Sequence, residues 1–159
     1  MAQTWKDEDI SLDPIKDQTI AVIGYGIQGD AQANNMKDSG LNVIVGLKEG
    51  GASWQKAKDD GHEVLSVTDA TKKADIIHIL IPDMVQAKVY KEEIAPNLSE
   101  GKALSFSHAA AIYWKWIDAP ENVDLIMVAP KGPGSKVRET YLQNFGTPSI
   151  VAVEQDKTG

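Results

Sequence analysis

Cysteine is absent from the 159 residues, which excludes disulfides, thiolate zinc sites and a cysteine nucleophile. Long apolar runs are missing too, and none approaches the ~20 residues that a helical membrane span requires. Positive charge is in deficit: 16 Lys and Arg stand against 23 Asp and Glu, giving a net charge of -7 and a pI near 4.9. That balance argues against a nucleic-acid binder or a partner for anionic membranes, without barring a local pocket for phosphate. Internal repeats, low-complexity tracts and an interdomain linker are also lacking. Residues 1–18 are polar and acidic with no apolar centre, unlike a secretory leader. They are expected to form an N-terminal extension, and the protein is expected to be cytoplasmic.

What is present suits a globular chain, with 42% hydrophobic and 25% charged residues. The length fits one domain, 1–159, since single domains commonly run to roughly 100–200 residues. Apolar runs bounded by turn signals recur at Thr19–Ile23, Asn42–Val45, Ile76–Ile81, Ala103–Phe106, Asp124–Val128 and Ser149–Val153. Segments with helical spacing lie between them: Gln28–Ser39, Ser53–Asp59, Val67–Lys73, Met84–Ala95 and Lys136–Asn144. Strands alternating with helices imply βαβ units and a parallel sheet. The expected fold is α/β, a doubly wound, Rossmann-like, mainly parallel sheet with helices on both faces.

The first strand runs straight into Gly24-Tyr25-Gly26-Ile27-Gln28-Gly29, a G-x-G-x-x-G that opens a helix. In a dinucleotide site Gly24 would allow the tight turn, Gly26 the approach of a pyrophosphate, and Gly29 the packing of helix on strand. Free N–H groups at the helix start would then face the phosphates. A close-packed strand-to-helix turn with no ligand would use the same glycines. The second strand ends Val45-Gly46-Leu47-Lys48-Glu49. Lys48 followed by Ser53 suits a ribose 2′-phosphate and so NADP, while Glu49 keeps NAD open. Lys48 is equally readable as a solvated loop lysine.

The glycine loop, Ala31, Ala33, Asn35, Asp38-Ser39-Gly40, Val45-Gly46-Leu47-Lys48, Ser53-Trp54 and Pro82-Asp83-Met84-Val85-Gln86 together resemble ketol-acid reductoisomerases. So do Ser107-His108, Met127-Val128-Ala129-Pro130-Lys131-Gly132-Pro133-Gly134, Gln155-Asp156 and Thr158-Gly159, all in that family's order. The resemblance implies an enzyme of branched-chain amino-acid synthesis that uses NADPH and two magnesium ions. It implies cofactor contacts from Gly24, Tyr25, Gly26, Ile27, Gln28 and Gly29, and from Lys48 and Ser53 at the 2′-phosphate. It further implies that Asp83, Met84, Val85 and Gln86 lie beside the nicotinamide and ribose, and that His108 is the active-site histidine. The family's helical domain, which carries the carboxylates for both magnesium ions, would begin after Gly159. No metal site is therefore expected within this chain, and alone it is expected to be inactive in the family's reaction.

The departures from the pattern are informative. His108 is followed by Ala109-Ala110-Ala111-Ile112-Tyr113 where the family has Gly-Phe-Asn-Ile-His. A Cβ at 109 is expected to resist a positive φ. Asp30 in the first turn of the phosphate helix suits the helix dipole but is expected to repel a pyrophosphate. Asn34 and Ser135 also differ from the family's usual residues. These changes read as an engineered isolated fragment. A rival function follows, a scaffold whose altered surface near Tyr113, Trp114 and Trp116 binds a partner or forms a homodimer. Those aromatics are as readily read as part of the domain's own core. A further alternative is a designed catalyst in which Lys48 or Lys131, desolvated, acts as an amine nucleophile.

Overall fold

The computed structural model describes residues 3–159; residues 1 and 2 of the N-terminal extension lie outside the described residues. Runs rich in Val, Ile and Leu pair into one seven-stranded sheet: β1 (Thr19–Ile23), β2 (Asn42–Gly46), β3 (Glu63–Leu65), β4 (Ile76–Ile79), β5 (Ala103–Phe106), β6 (Asp124–Pro130) and β7 (Ser149–Gln155). Their order across the sheet is β3-β2-β1-β4-β5-β6-β7. The first six are parallel and β7 runs antiparallel to β6, with a register irregularity between Leu125 and Ile126. This is a Rossmann-like sheet, and its strand order reverses between β1 and β4.

Both sides of the sheet are covered, which is why its central strands read as near-continuous apolar runs. Six helices do the covering: α1 (Ile27–Asp38), α2 (Ala52–Asp59), α3 (Val67–Lys73), α4 (Asp83–Val89), α5 (Ala110–Tyr113) and α6 (Gly134–Leu142). On one face Ile20, Val22, Val43 and Val45 meet Tyr25 from the turn before α1, Ala33 from the middle of α1 and Ala57 from α2. On the other face Ile23, Ile77, Ile79, Leu104 and Phe106 meet residues of α3 and α5 together with Tyr90 and Ile94. Each fully buried aliphatic side chain there contributes roughly 1.5–3 kcal/mol of transfer free energy.

α1 is unusual for a buried helix because its sequence, IQGDAQANNMKD, is mostly polar. Its sheet side carries small residues, Gly29 and Ala33 one turn apart, which let the helix axis come close to the strands. Its outer side is backed by α6 through polar contacts. Arg138 donates to Asn35 Oδ1 (2.9 Å) and Asp38 Oδ2 (2.6 Å), and the hydroxyls of Ser39 and Tyr141 lie 2.8 Å apart.

The structure differs from the sequence expectations in particular places. β3 and α5 add elements beyond those expected. The helix expected over Met84–Ala95 is α4 followed by a π-helical segment, Tyr90–Ile94, and a 3-10 turn at Ala95–Asn97. Tyr113, Trp114 and Trp116 do not enter the core; they are 74%, 63% and 45% exposed. No described helix is long and apolar enough to cross a membrane.

Candidate functional site

The loops that leave the C-terminal ends of β1, β4, β5 and β6 enclose a cleft of about 180 Å³ at the reversal of strand order. Open α/β sheets bind ligands at this position, because adjacent loops diverge there and leave a crevice. The cleft is lined by Gln28, Ile79, Leu80, Ile81, Asp83, Gln86, Ser107, His108 and Pro130. It therefore brings together Gln28, Asp83, Gln86 and His108 from the residues expected by sequence.

The glycine turn forms one wall. Gly24 sits at φ +102, and a Cβ there would lie 2.8 Å from Ile81 Cγ2 and 3.1 Å from its backbone nitrogen. A Cβ on Gly29 would run into the Gly24 carbonyl, so the first turn of α1 rests directly on the end of β1. Gly26, which precedes α1, has nothing within 4 Å of where a Cβ would stand. Two of the three glycines are thus locked by neighbouring atoms, and the middle one faces open space. The N–H groups of the first helical turn have no carbonyl partners within the helix.

The second part of the turn has a different job. Tyr25 is buried, and its hydroxyl donates to Asp60 Oδ2 and accepts from Asn34 Nδ2, both at 2.8 Å. Burial, together with the neighbouring Asp60, pushes the phenol well above its ordinary pKa. The Tyr25 side chain ties the turn to the C-terminal end of α2. The Asp30 carboxylate, expected to face the phosphate side as a free charge, is paired with Lys56 and accepts from Asn34 Nδ2 (2.8 Å). Asp30 and Asn34, which depart from the family pattern, are therefore partners in one network.

Lys48 and Ser53 occupy the loop after β2 and the first turn of α2, beside the glycine turn because β1 and β2 are neighbours. Lys48 is exposed and, among the described residues, makes no ion pair or side-chain hydrogen bond. Lys131 is exposed as well, so neither lysine is desolvated as an amine nucleophile would require.

Across the cleft, Gln86 is 4% exposed. Its amide nitrogen donates to the Ile81 carbonyl (2.9 Å) and Asp83 Oδ1 (3.1 Å), while its Oε1 is buried with no partner. Met84 is 91% exposed and Val85 is exposed, and neither lines the cleft. His108 lies at the rim with Nδ1 3.5 Å from Asp83 Oδ2. The backbone at Ala109 has φ -79, so the strain expected of an alanine there is absent.

Residues 14–159 match the family described as acetohydroxy acid isomeroreductase, NADPH-binding domain. The chain belongs to the acetohydroxy acid isomeroreductase family. Among its relatives are the ketol-acid reductoisomerases (NADP(+)) of Nitrosopumilus maritimus and Cenarchaeum symbiosum, 87% and 78% identical over all 159 residues. Each alignment covers 100% of this chain and 48% of the relative, so the chain spans about half the length of those reductoisomerases. A solved NADH-preferring ketol-acid reductoisomerase from an uncultured archean superposes with a TM-score of 0.94 at 52% identity. That superposition covers 96% of this chain and 48% of the other. As a member of the isomeroreductase family, this chain corresponds to the cofactor-binding N-terminal part.

In the sequence Ser107 stood only as part of a family pattern, and Gln32 and His78 had no site role, although all three join in the polar interior behind the cleft. His78 Nε2 lies 2.8 Å from Gln32 Oε1, and Gln32 Nε2 donates to Gln28 Oε1 (3.0 Å) and Ser107 Oγ (3.2 Å). One signal was available: His78 is the only polar residue in the run Ile76–Ile81.

Proposed function

We propose that this chain binds a nicotinamide dinucleotide across the C-terminal edge of its sheet, NADP(H) in preference to NAD(H). In this reading it serves as the cofactor half of a ketol-acid reductoisomerase. The observation that carries the reading is Gly26. It opens onto free space at the head of α1 while Gly24 and Gly29 on either side are sterically fixed. A βα turn built only for packing has no need of an open position between two closed ones.

The residues fit such a group. The N–H groups from Gly26 to Gly29 would take the pyrophosphate, with the dipole of the twelve-residue α1 adding to the attraction. Lys48 and Ser53 would hold the 2′-phosphate; the exposed, unpaired ammonium of Lys48 supports this assignment. Gln86 Oε1, a buried acceptor without a donor, would receive a hydrogen bond from a cofactor hydroxyl or carboxamide, since leaving it unmet is costly. Asp83, Met84 and Val85 complete the nicotinamide and ribose side. The nicotinamide ring, when bound, supplies or accepts hydride. His108, held near Asp83 at the rim, is the side chain able to exchange a proton with a substrate oxygen.

Among the described residues no three His, Asp or Glu side chains are placed so that they could hold a metal ion, so they do not fit the magnesium ions of the family's reaction. No metal-dependent step is assigned to them, and the chain alone is expected to bind cofactor without isomerising an acetohydroxy acid. One solved relative is described as NADH-preferring, so the preference proposed here rests on Lys48 rather than on likeness.

Calorimetric titration with NADPH and NADH tests the reading. NADPH is expected to bind more tightly. Lys48→Ala should weaken NADPH by roughly ten-fold, the size of one charge-assisted hydrogen bond, and leave NADH nearly unchanged. Absence of binding by either cofactor contradicts the proposal.

A second reading rests on the exposed aromatics. Tyr113 and Trp114 stack edge to face at 4.8 Å beside an apolar cavity of about 290 Å³ lined by Phe106, Ile112, Met127 and Ala152. This surface suits association of two copies of the chain.

A further inference from the structure

A buried polar chain runs from the middle of the sheet to the cleft, and the backbone at its far end fixes which way every hydrogen bond points. Two carbonyls terminate it. Gly132 O receives Gln28 Nε2 at 2.9 Å, and Val128 O receives the Ser107 hydroxyl at 2.9 Å. A carbonyl can only accept. Gln28 must therefore present its Oε1 to Gln32; the single Ser107 proton goes to Val128 O at 2.9 Å rather than to Gln32 Oε1 at 3.4 Å, which leaves Ser107 to accept from Gln32. Both demands are met by the Gln32 amide nitrogen, at 3.0 and 3.2 Å. Gln32 is then left with only its Oε1 to face His78 Nε2 at 2.8 Å, so that ring nitrogen carries a proton. His78 Nδ1, 2.9 Å from Ser105 Oγ, is the acceptor for the serine hydroxyl.

The surroundings of His78 contain nothing that would hold an imidazolium. Its register partners are Val22 on β1 and Ser105 on β5, and α1 faces it with Gln32. No charged side chain contributes to its titration; burial alone pushes its pKa down to about 4.

We infer that His78, as the neutral Nε2–H tautomer, is a positioning residue that orients the Gln32 amide and through it sets Gln28 and Ser107 on the wall of the cofactor cleft. The inference deepens the cofactor reading proposed above and rests on it. Gln28 links the start of α1 to the loop after β6. Ser107 links the end of β5 to β6. His78 is the buried group that gives the junction between these elements a single direction.

His78→Leu and His78→Gln separate positioning from packing. Leucine fills the space and removes the donor; glutamine restores an N–H in reach of Gln32. In the wild-type chain, nitrogen NMR of His78 is expected to show a protonated Nε2 and a bare Nδ1 from pH 6 to 8. His78→Leu is expected to shift the Gln28 side-chain amide resonances and weaken NADPH binding by roughly five-fold, about the worth of one neutral hydrogen bond. His78→Gln is expected to recover affinity to within roughly two-fold.

A proton on Nδ1 alone overturns the inference, as does wild-type affinity in a folded His78→Leu chain. Should His78→Leu fail to fold, Gln32→Glu takes its place. That change removes the two donors to Gln28 and Ser107 while keeping the acceptor for His78, and the same loss of affinity is expected; unchanged affinity overturns the inference. If the wild-type chain binds neither NADPH nor NADH, the cofactor reading itself fails. The Gln28 amide resonances then decide the positioning role, and resonances unmoved by His78→Leu overturn it.

Discussion

Gly26 and Gly29 are three residues apart in one motif, yet a methyl group at each has opposite consequences. At Gly29 it meets the Gly24 carbonyl, so Gly29→Ala must push α1 off the end of β1. We expect a loss of about 2 kcal/mol or more by denaturant unfolding, in the range of overpacked core substitutions. At Gly26, φ is -82 and the space is open, so a side chain is sterically free. The motif in the sequence called for glycines without telling which of them is open and which are closed by neighbours. That distinction depends on Gly24 and Ile81, residues far apart in the chain that the β1–β4 pairing brings together.

His78 makes a second prediction at this scale. Its folded pKa lies below its unfolded value of about 6.5, so unfolding takes up a proton between pH 6.5 and 4. Stability contributed by the neutral ring is fully present above pH 6.5 and declines as pH falls toward 4. The total is on the order of 3 kcal/mol. Urea unfolding at pH 7 and pH 4.5 should show the decline, and His78→Leu should flatten it. An unchanged slope in that variant contradicts the assignment.

Among the elements, one tie joins the glycine turn and α1 to the C-terminal end of α2 through Tyr25, Asp30, Lys56 and Asp60. Its core is the Tyr25 hydroxyl, with Lys56 lying 5.0 Å above the ring and His62 edge-on at 5.5 Å. Tyr25→Phe leaves Asp60 and Asn34 without that partner and is expected to cost about 1–2 kcal/mol. Lys56→Ala removes two solvent-exposed ion pairs, to Asp30 and Asp60, and the cation over the Tyr25 ring, and should cost about 1 kcal/mol. Comparing the two by thermal unfolding checks the ranking. Asp30 shows why this tie was hidden in the sequence. Read alone it is a carboxylate beside a phosphate site; its meaning changes once Lys56, 26 residues later, lies beside it.

Other elements were legible to different degrees. The long apolar runs and the strand-glycine-helix junction carried the α/β class, because both are local patterns. β3 was not legible: three residues with a single buried Val64 make no alternation. The π-helical turn at Tyr90–Ile94 was hidden because hydrogen-bond offset leaves no mark on residue spacing. Nor could the run Ser149–Val153 reveal that it pairs antiparallel to β6, a matter of chain direction rather than composition.

At the scale of the whole molecule, one group of exposed apolar residues lies toward the β6–β7 end of the sheet. Ile150, Val151 and Val153 are each at least half exposed, and Tyr113, Trp114 and Trp116 lie on and just after α5. A patch of this kind favours association. Light scattering is expected to show a mass that rises with concentration, and Trp114→Ala with Trp116→Ala should reduce it. A strictly monomeric profile at high concentration contradicts self-association. The cleft at the reversal of strand order is separate from this question, since its lining contains no residue of α5 or β7. The central claim is that the open position in the glycine turn is where a dinucleotide phosphate sits. Titration of NADPH into Gly26→Val, beside wild type, tests it most directly. The account predicts an intact fold with an unfolding midpoint near that of wild type and binding abolished; wild-type affinity in the folded variant would contradict it.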